Sequence, residues 1–250
     1  MLVWPLPPPS LQLAPHDVHV WGAVLSLPEA TIALLHTLLT ADEQERAGRF
    51  YLARDRHHFI IARGVLRLLL SRYTGRHPHH LRFCYGPHGK PALIPQHGGT
   101  LWHFNLSHSG GVALYAVTRQ RQVGVDVERI RPEFAAGNNI AERFFSPQEV
   151  AALRALPPTA QVAAFFACWS RKEAYIKARG LGLALPLESF DVSLTPGAPA
   201  ALLATHDDPA EAGRWRLDTL EPAAGYAAAL AVEGHDWQYS CWRWAPELAF

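Results

Sequence analysis

Lysine is nearly missing from this chain: of 23 basic residues only Lys90, Lys172 and Lys177 are lysines. Where arginine is the default cation, a retained lysine marks a place that suits a compact ammonium better than a planar fork. Chance in an arginine-biased composition is an equal reading for any single one. Cysteine is scarce too. Cys84, Cys168 and Cys241 are odd in number, far apart and set in apolar-aromatic runs. That spacing excludes a zinc cluster and predicts buried thiols in a reducing compartment. The charge has no dominant sign: a formal net charge of +1 gives no overall field to attract nucleic acid. No stretch approaches the length of a membrane span. The first nine residues hold a tryptophan and four prolines but neither the basic nor the apolar region of a signal peptide. A cytoplasmic protein without membrane contact is expected. Neither H-E-x-x-H nor G-x-S-x-G occurs, so the 14 histidines, His57-His58 and His77/His79/His80 included, read mostly as surface or capping residues.

What is present describes a folded α+β protein. At 49% apolar residues, with 8 Trp and 11 Phe, 250 residues can bury a full core as one large domain or two small ones. Residues 17–25 alternate as a strand, and Thr40-Ala41-Asp42-Glu43 is a capping box opening a helix. A longer helix is predicted from Asp55 to Tyr73, with Phe59, Ile60, Leu66, Leu69 and Leu70 as its buried stripe and Gly75 as its stop. Short strands follow near 81–85, 101–105, 112–118 and 122–128. A second capping box, Ser146-Pro147-Gln148-Glu149, precedes a long helix from Thr159 to Ala178 that Gly180 stops. Strands are predicted at 188–194, 215–220, 226–233 and 237–244. Each half contains helices and closes with strands, which predicts two similar α+β subdomains, although no repeat is visible in the sequence itself. The boundaries are an N-terminal extension at 1–16, one subdomain at 17–122 and another at 123–250. The stretch 131–147 reads as a junction loop and 195–213 as a flexible surface loop.

Two segments carry the chemistry. Gly124-Val125-Asp126-Val127-Glu128 puts two carboxylates on one face of an apolar strand, because side chains two apart share a face. The glycine allows a bulky group to approach the backbone. On the second long helix Phe165, Trp169, Glu173 and Lys177 are spaced by four along one ridge. Glu173 thus continues an apolar stripe, where an unpaired carboxylate would cost several kcal/mol. Acids on a solvated strand face and a simple Glu-Lys helical pair are the plain alternatives. Three acids near apolar surface repel one another, and a divalent, oxygen-seeking ion is the simplest relief. Asn105-Leu106-Ser107-His108-Ser109-Gly110-Gly111 reads as a glycine-flanked turn, either an anion-binding nest or only a hydrogen-bonded turn. From Arg46 to Arg72 seven arginines face one acid, Asp55, a local excess that fits a phosphate-rich ligand better than a solvated face.

Taken together these segments resemble the 4′-phosphopantetheinyl transferases of the surfactin-synthetase (Sfp) type. That family's signatures are G-[IV]-D-[IV]-E and W-x-x-K-E-A-x-x-K-x-x-G-x-G-L, which stand here as Gly124–Glu128 and Trp169–Leu183. Gly89-Lys90-Pro91, Phe104–Gly110 and Glu45–Phe50 match upstream, so the likeness covers roughly residues 40 to 194. The resemblance implies transfer of the phosphopantetheine arm of coenzyme A to a serine of an apo acyl or peptidyl carrier protein, releasing adenosine 3′,5′-bisphosphate. It implies Asp126, Glu128 and Glu173 as ligands of Mg²⁺, with Mn²⁺ as an alternative because both take similar oxygen ligands. Lys177, His108 and Ser107 would hold coenzyme A phosphates, and His88, Gly89, Lys90 and Pro91 would line its adenine side. Arg46 matches an arginine that pairs the 3′-phosphate in some members; Arg49, Arg54 and Arg63 are alternatives. Glu173 and Lys177 would be catalytic, with Glu173, or a water beside it, as the base. Arg129 and Arg131, or the apolar Phe134, Phe144 and Phe145, would meet the carrier. The implied fold is a monomer of two α+β halves related by a pseudo-two-fold axis, with the ligand cleft between them. Two other readings stay open: a coenzyme A- or nucleotide-binding module without transfer, and a metal-dependent phosphodiesterase. Which carrier is modified is not given by the sequence.

Overall fold

The structure, a computed structural model, describes residues 2–94, 100–135 and 139–248. The first half runs β1 (Asp17–Val24), α1 (Glu29–Thr37), α2 (Ala41–Gly48), α3 (Ala53–Thr74), an antiparallel pair β2 (Phe83–Tyr85) and β3 (Pro91–Leu93), then β4 (Trp102–Ser109) and β5 (Val112–Arg119). The second half runs β6 (Val123–Arg129), α4 (Pro132–Ala135), α5 (Ile140–Phe144), α6 (Pro147–Ala155) and α7 (Pro158–Arg179). The pair β7 (Phe190–Val192) and β8 (Leu202–Thr205), then β9 (Trp215–Leu220) and β10 (Tyr226–Glu233), complete it, and β11 (Gln238–Arg243) follows. The sheets have the orders β11-β1-β5-β4 and β6-β10-β9. Within each half the first strand therefore pairs with the last, and the last with the one before it.

That shared topology is the duplication the sequence conceals, and it extends to side chains. Glu43, third residue of α2, accepts the Thr40 backbone N–H at 3.1 Å. It also takes Arg63 Nε at 2.5 Å and Arg67 Nε at 2.6 Å from α3. Glu149, third residue of α6, accepts the Ser146 N–H at 2.9 Å and takes Lys172 Nζ at 2.7 Å from α7. Arg67 and Lys172 occupy the same position, counted from the start, of two 22-residue helices. Arg67 donates to the carbonyls of Pro78 and Leu81, and Lys172 to those of Leu187 and Phe190. Each cation also lies over a phenylalanine that opens the next strand, Phe83 or Phe190. Both long helices end on a left-handed glycine, Gly75 and Gly180, as a carbonyl-satisfying C-cap requires.

Four layers result: α3, the first sheet, the second sheet, α7. In β5, Ala113, Tyr115 and Val117 join the core with α3, while Val112, Leu114 and Ala116 join the core between the sheets. In β10, Ala229 and Ala231 face α7's core and Ala228, Leu230 and Val232 face the seam. Strands buried on both faces need not alternate in polarity, which accounts for the continuous apolar runs of β5 and β10.

Several expectations are corrected. The stretch 195–213 carries β8 and a short helical turn at Glu211–Arg214, because Leu202 and Glu211 reach the interior. Residues 105–109 belong to strand β4, and the turn is confined to Gly110-Gly111. Only Cys168 is buried; Cys84 is exposed on a short outer strand and Cys241 is intermediate. The terminal strand β11 pairs in parallel with β1, so it completes the first half's sheet rather than the second's. Residues 2–5 also tie the ends together: the Val3 N–H donates to Pro222 O, between β9 and β10, and the Arg243 N–H of β11 to Pro5 O. Among the described residues no helix is long and apolar enough to cross a membrane.

Candidate active site at the seam

Strands β4 and β6 are the facing edges of the two sheets, and side chains rather than backbone join them. Asn105 Oδ1 accepts the Val125 N–H at 2.9 Å, satisfying an edge amide that would otherwise be buried without a partner. Two residues on, Ser107 Oγ donates to Asp126 Oδ1 at 2.8 Å, and two further on, Ser109 Oγ donates to Glu128 Oε2 at 2.7 Å. The period of two shared by Ser107/Ser109 and Asp126/Glu128 keeps these two rungs in register. The hydroxyls of the Asn-Leu-Ser-His-Ser segment thus face carboxylates.

Helix α7 closes the site from the other side. A Cβ on Gly124 would overlap the Ala174 carbonyl oxygen and the Ala178 backbone, so the group this glycine admits is α7 itself. That contact places Glu173 and Lys177 over the acidic face of β6. Lys177 Nζ lies 2.5 Å from Asp126 Oδ1 and 3.0 Å from Ser107 Oγ. Burial raises the Glu173 carboxyl above its ordinary range; Lys177 opposes this, and Asp126 and Glu128 add to it. Glu128 is likewise raised, by burial and then by Asp126, against the Ser109 hydrogen bond and the charges of Lys177 and Arg131. Asp126 is 1% exposed, and its Oδ2 is buried without a hydrogen-bond partner. An orphaned carboxylate oxygen beside two acids that resist ionisation suits a hard cation. Among the described residues no three His, Cys, Asp or Glu side chains are gathered as a ready-made cage. An ion here would need ligands from water or substrate as well, the usual habit of Mg²⁺.

Beside the seam opens a cavity of about 850 Å³, lined among others by Arg46, Arg49, Phe59, Arg63, Tyr85, Gly89, Pro91, Asn105 and His108. The sequence-derived cations fare differently here. Arg63 is held by buried Glu43, donates to Tyr85 Oη at 3.1 Å and lies 4.0 Å over the Phe83 ring. Arg49 pairs with Glu45, and Arg54 is exposed and pairs with Asp55. Arg46 stacks over Phe59 at 5.2 Å and faces the cavity, and among the described residues it makes no ion pair, although Asp42, Glu43 and Glu45 also line that cavity. The expected cationic excess of the 46–72 segment is therefore smaller than its count, since Glu43, just outside it, binds two of the seven. Local spacing marks Glu43 as a helix cap; its second role, binding Arg63 and Arg67, comes from the packing of α2 on α3. Burial and the charges of His58 and Lys177 push His108 below the ordinary imidazole range.

Lys90 departs from expectation. Its backbone neighbours Gly89 and Pro91 line the cavity, but its ammonium turns away to Gln122 Oε1 (3.2 Å), Val123 O (3.1 Å) and Ala178 O (2.8 Å). Burial lowers its pKa to about 8. His88 is exposed and rests against Gly182. Arg129 and Arg131 are exposed at the end of β6. Phe145 is buried against Phe165 and unavailable to a partner, Phe144 is half-buried edge-on to Trp169, and the Phe134 side chain lies outside the described residues.

Comparison with known proteins gives the family. A family model described as the 4′-phosphopantetheinyl transferase superfamily matches residues 122–231. One described as 4′-phosphopantetheinyl transferase, N-terminal, matches residues 28–120. The chain is 40% identical over 241 residues to the 4′-phosphopantetheinyl transferase HetI of Nostoc sp., covering 96% of this chain and 98% of that protein. It is 33% identical over 221 residues to the 4′-phosphopantetheinyl transferase ffp of Bacillus subtilis, covering 87% and 93%. To the 4′-phosphopantetheinyl transferase Sfp of the same species it is 34% identical over 160 residues, covering 63% and 67%.

Proposed function

Because the chain belongs to the 4′-phosphopantetheinyl transferase superfamily, we propose that the seam between β4, β6 and α7 is its transfer site. The enzyme moves the 4′-phosphopantetheine arm of coenzyme A to a serine hydroxyl of an apo carrier protein. The serine oxygen forms a bond to the phosphorus next to pantetheine, the pyrophosphate P–O bond breaks, and adenosine 3′,5′-bisphosphate leaves. Such a step needs in-line placement and charge neutralisation more than covalent help from the protein.

The geometry supports the following residue roles. Asp126, through its unpartnered Oδ2, with Glu128 and Glu173, would hold Mg²⁺ or Mn²⁺. A bound divalent ion supplies Lewis-acid stabilisation of the departing phosphate. Lys177, beside Asp126, would give up that ion pair to a phosphate oxygen and neutralise its charge at a water-poor site. Ser107 keeps Asp126 oriented and His108 faces the coenzyme from the cavity wall. Arg46, free of a carboxylate partner, takes the 3′-phosphate, in preference to Arg49, Arg54 and Arg63 with their internal partners. Glu173, its carboxyl raised by burial, accepts the serine proton. Arg129 and Arg131 form a basic rim suited to an acidic carrier. Both walls come from one chain, so a monomer is the working unit, acting in the cytoplasm.

One observation carries this reading: an orphaned Asp126 oxygen beside Lys177, at the seam that adjoins a cavity of coenzyme size. A panel of apo carriers from fatty acid, polyketide and peptide synthesis, incubated with coenzyme A and Mg²⁺, should gain one phosphopantetheine by mass spectrometry. Asp126→Ala should reduce the rate by at least about a hundredfold. Unmodified carriers throughout, with coenzyme A still bound in calorimetry, would overturn it.

A further inference from the structure

We propose that Lys90 is a positioning residue, a clasp that ties the cavity wall in the first half to the catalytic helix in the second. The residue sits between β2 and β3, where the Gly86 N–H donates to Lys90 O and the Gly89 N–H to Gly86 O, making a tight turn. The adjoining Tyr85, Gly89 and Pro91 line the cavity. Its side chain leaves that wall and crosses to the other half, passing Gly180, where a Cβ would stand 3.1 Å from Lys90 Cδ. Of its three acceptors, Gln122 and Val123 belong to the entry into β6. The third, the Ala178 carbonyl, is one of the last four of α7, which no helical N–H can satisfy. A cation there also complements the negative end of the helix dipole. Lys177 immediately precedes Ala178, and Glu173 lies one turn earlier.

The ammonium's three donors meet three neutral oxygens, so they serve the joint rather than a phosphate. A planar guanidinium could not aim three donors from one atom, which accounts for lysine in an arginine-rich chain. The clasp fixes two distances at once: wall to coenzyme, and α7 to β6. Its loss is expected to disturb coenzyme binding and the chemical step together, since misplacement of about 1 Å at a reacting centre is worth about a hundredfold.

The kinetic part of this inference rests on the transferase reading; the structural part does not. Lys90→Met is expected to speed amide hydrogen exchange both at 86–91 and at 177–183. It should raise the KM for coenzyme A and lower kcat, each about tenfold. Gln122→Leu removes one acceptor from the opposite side and is expected to move the same two segments and both constants to a smaller extent, which keeps the test open if Lys90→Met folds poorly. A rise in KM with unchanged kcat and unchanged exchange at 177–183 would make Lys90 a ligand contact and overturn the clasp. Faster exchange at 86–91 alone would overturn it as well. If the unaltered enzyme modifies no carrier, the exchange measurements still decide on Lys90.

Discussion

Lys90, Lys172 and Lys177 each place a compact ammonium among closely spaced oxygens: neutral acceptors for Lys90, Glu149 and two carbonyls for Lys172, Asp126 and Ser107 for Lys177. Arginine takes the stacked and forked positions, as Arg63 does over Phe83. A buried histidine makes the residue scale testable by pH. Tyr73 Oη accepts from Trp21 Nε1 at 2.7 Å and lies 2.9 Å from His19 Nδ1, a hydrogen bond that a neutral imidazole can make in either tautomer. Burial, opposed weakly by Asp17, lowers His19 to about 4. An unfolded chain takes up that proton near pH 6.5, the folded one only near 4. Between these values the unfolded state binds more protons, so stability falls as pH drops from 6.5 to 4 and this contribution is constant below. The slope is expected to amount to roughly 3 kcal/mol at most. His19→Gln should flatten the dependence of Tm on pH across that window; an unchanged slope would refute the assignment.

At the scale of elements, the contact between β6 and α7 decides whether the site exists. Gly124→Ala would drive a methyl into the Ala174 carbonyl and is expected to cost at least about 3 kcal/mol in urea denaturation. Gly48→Ala, with open space around it inside α2, should change stability by less than about 1 kcal/mol, in the stabilising direction. Equal effects would show that β6 and α7 can separate freely. This contact was half legible in the sequence. Spacing alone put Asp126 and Glu128 on one strand face and Glu173 and Lys177 on one helix ridge, and glycine announced a close approach. What the sequence could not give was the partner across each gap. Ser107 and Ser109 read as a turn because Gly110 and Gly111 flank them, yet β5 on one side and the acids of β6 on the other hold them extended. Glu43 and Glu149 read as helix caps from local spacing, while their hold on Arg63, Arg67 and Lys172 depends on tertiary packing. The 46–72 arginines were overcounted as free charge for the same reason.

At the scale of the whole molecule, the halves are joined by more than a linker. The core between the sheets takes Val18, Val20 and Leu114 from one half, Val125, Leu220 and Leu230 from the other, and Trp4 and Trp237 from near the chain's two ends. Trp4 packs on Gly22, whose Cβ would stand 3.2 Å from its ring. Trp4→Ala is expected to destabilise the protein by about 3–5 kcal/mol while keeping one cooperative transition, because both halves share the core it fills. Two separated transitions in calorimetry would show that the halves fold independently.

The duplicated scaffold carries its reactive groups once. Matching α3 to α7 from their starts, Leu68 stands where Glu173 stands and Arg72 where Lys177 stands, and the face of β1 toward α3 carries His19, Trp21 and Ala23 where the face of β6 toward α7 carries Gly124, Asp126 and Glu128. The first half of the fold has become wall and floor for the second. If the seam is the transfer site, one coenzyme and one acceptor are expected per chain, and each turnover would have to clear that single berth before the next carrier is loaded.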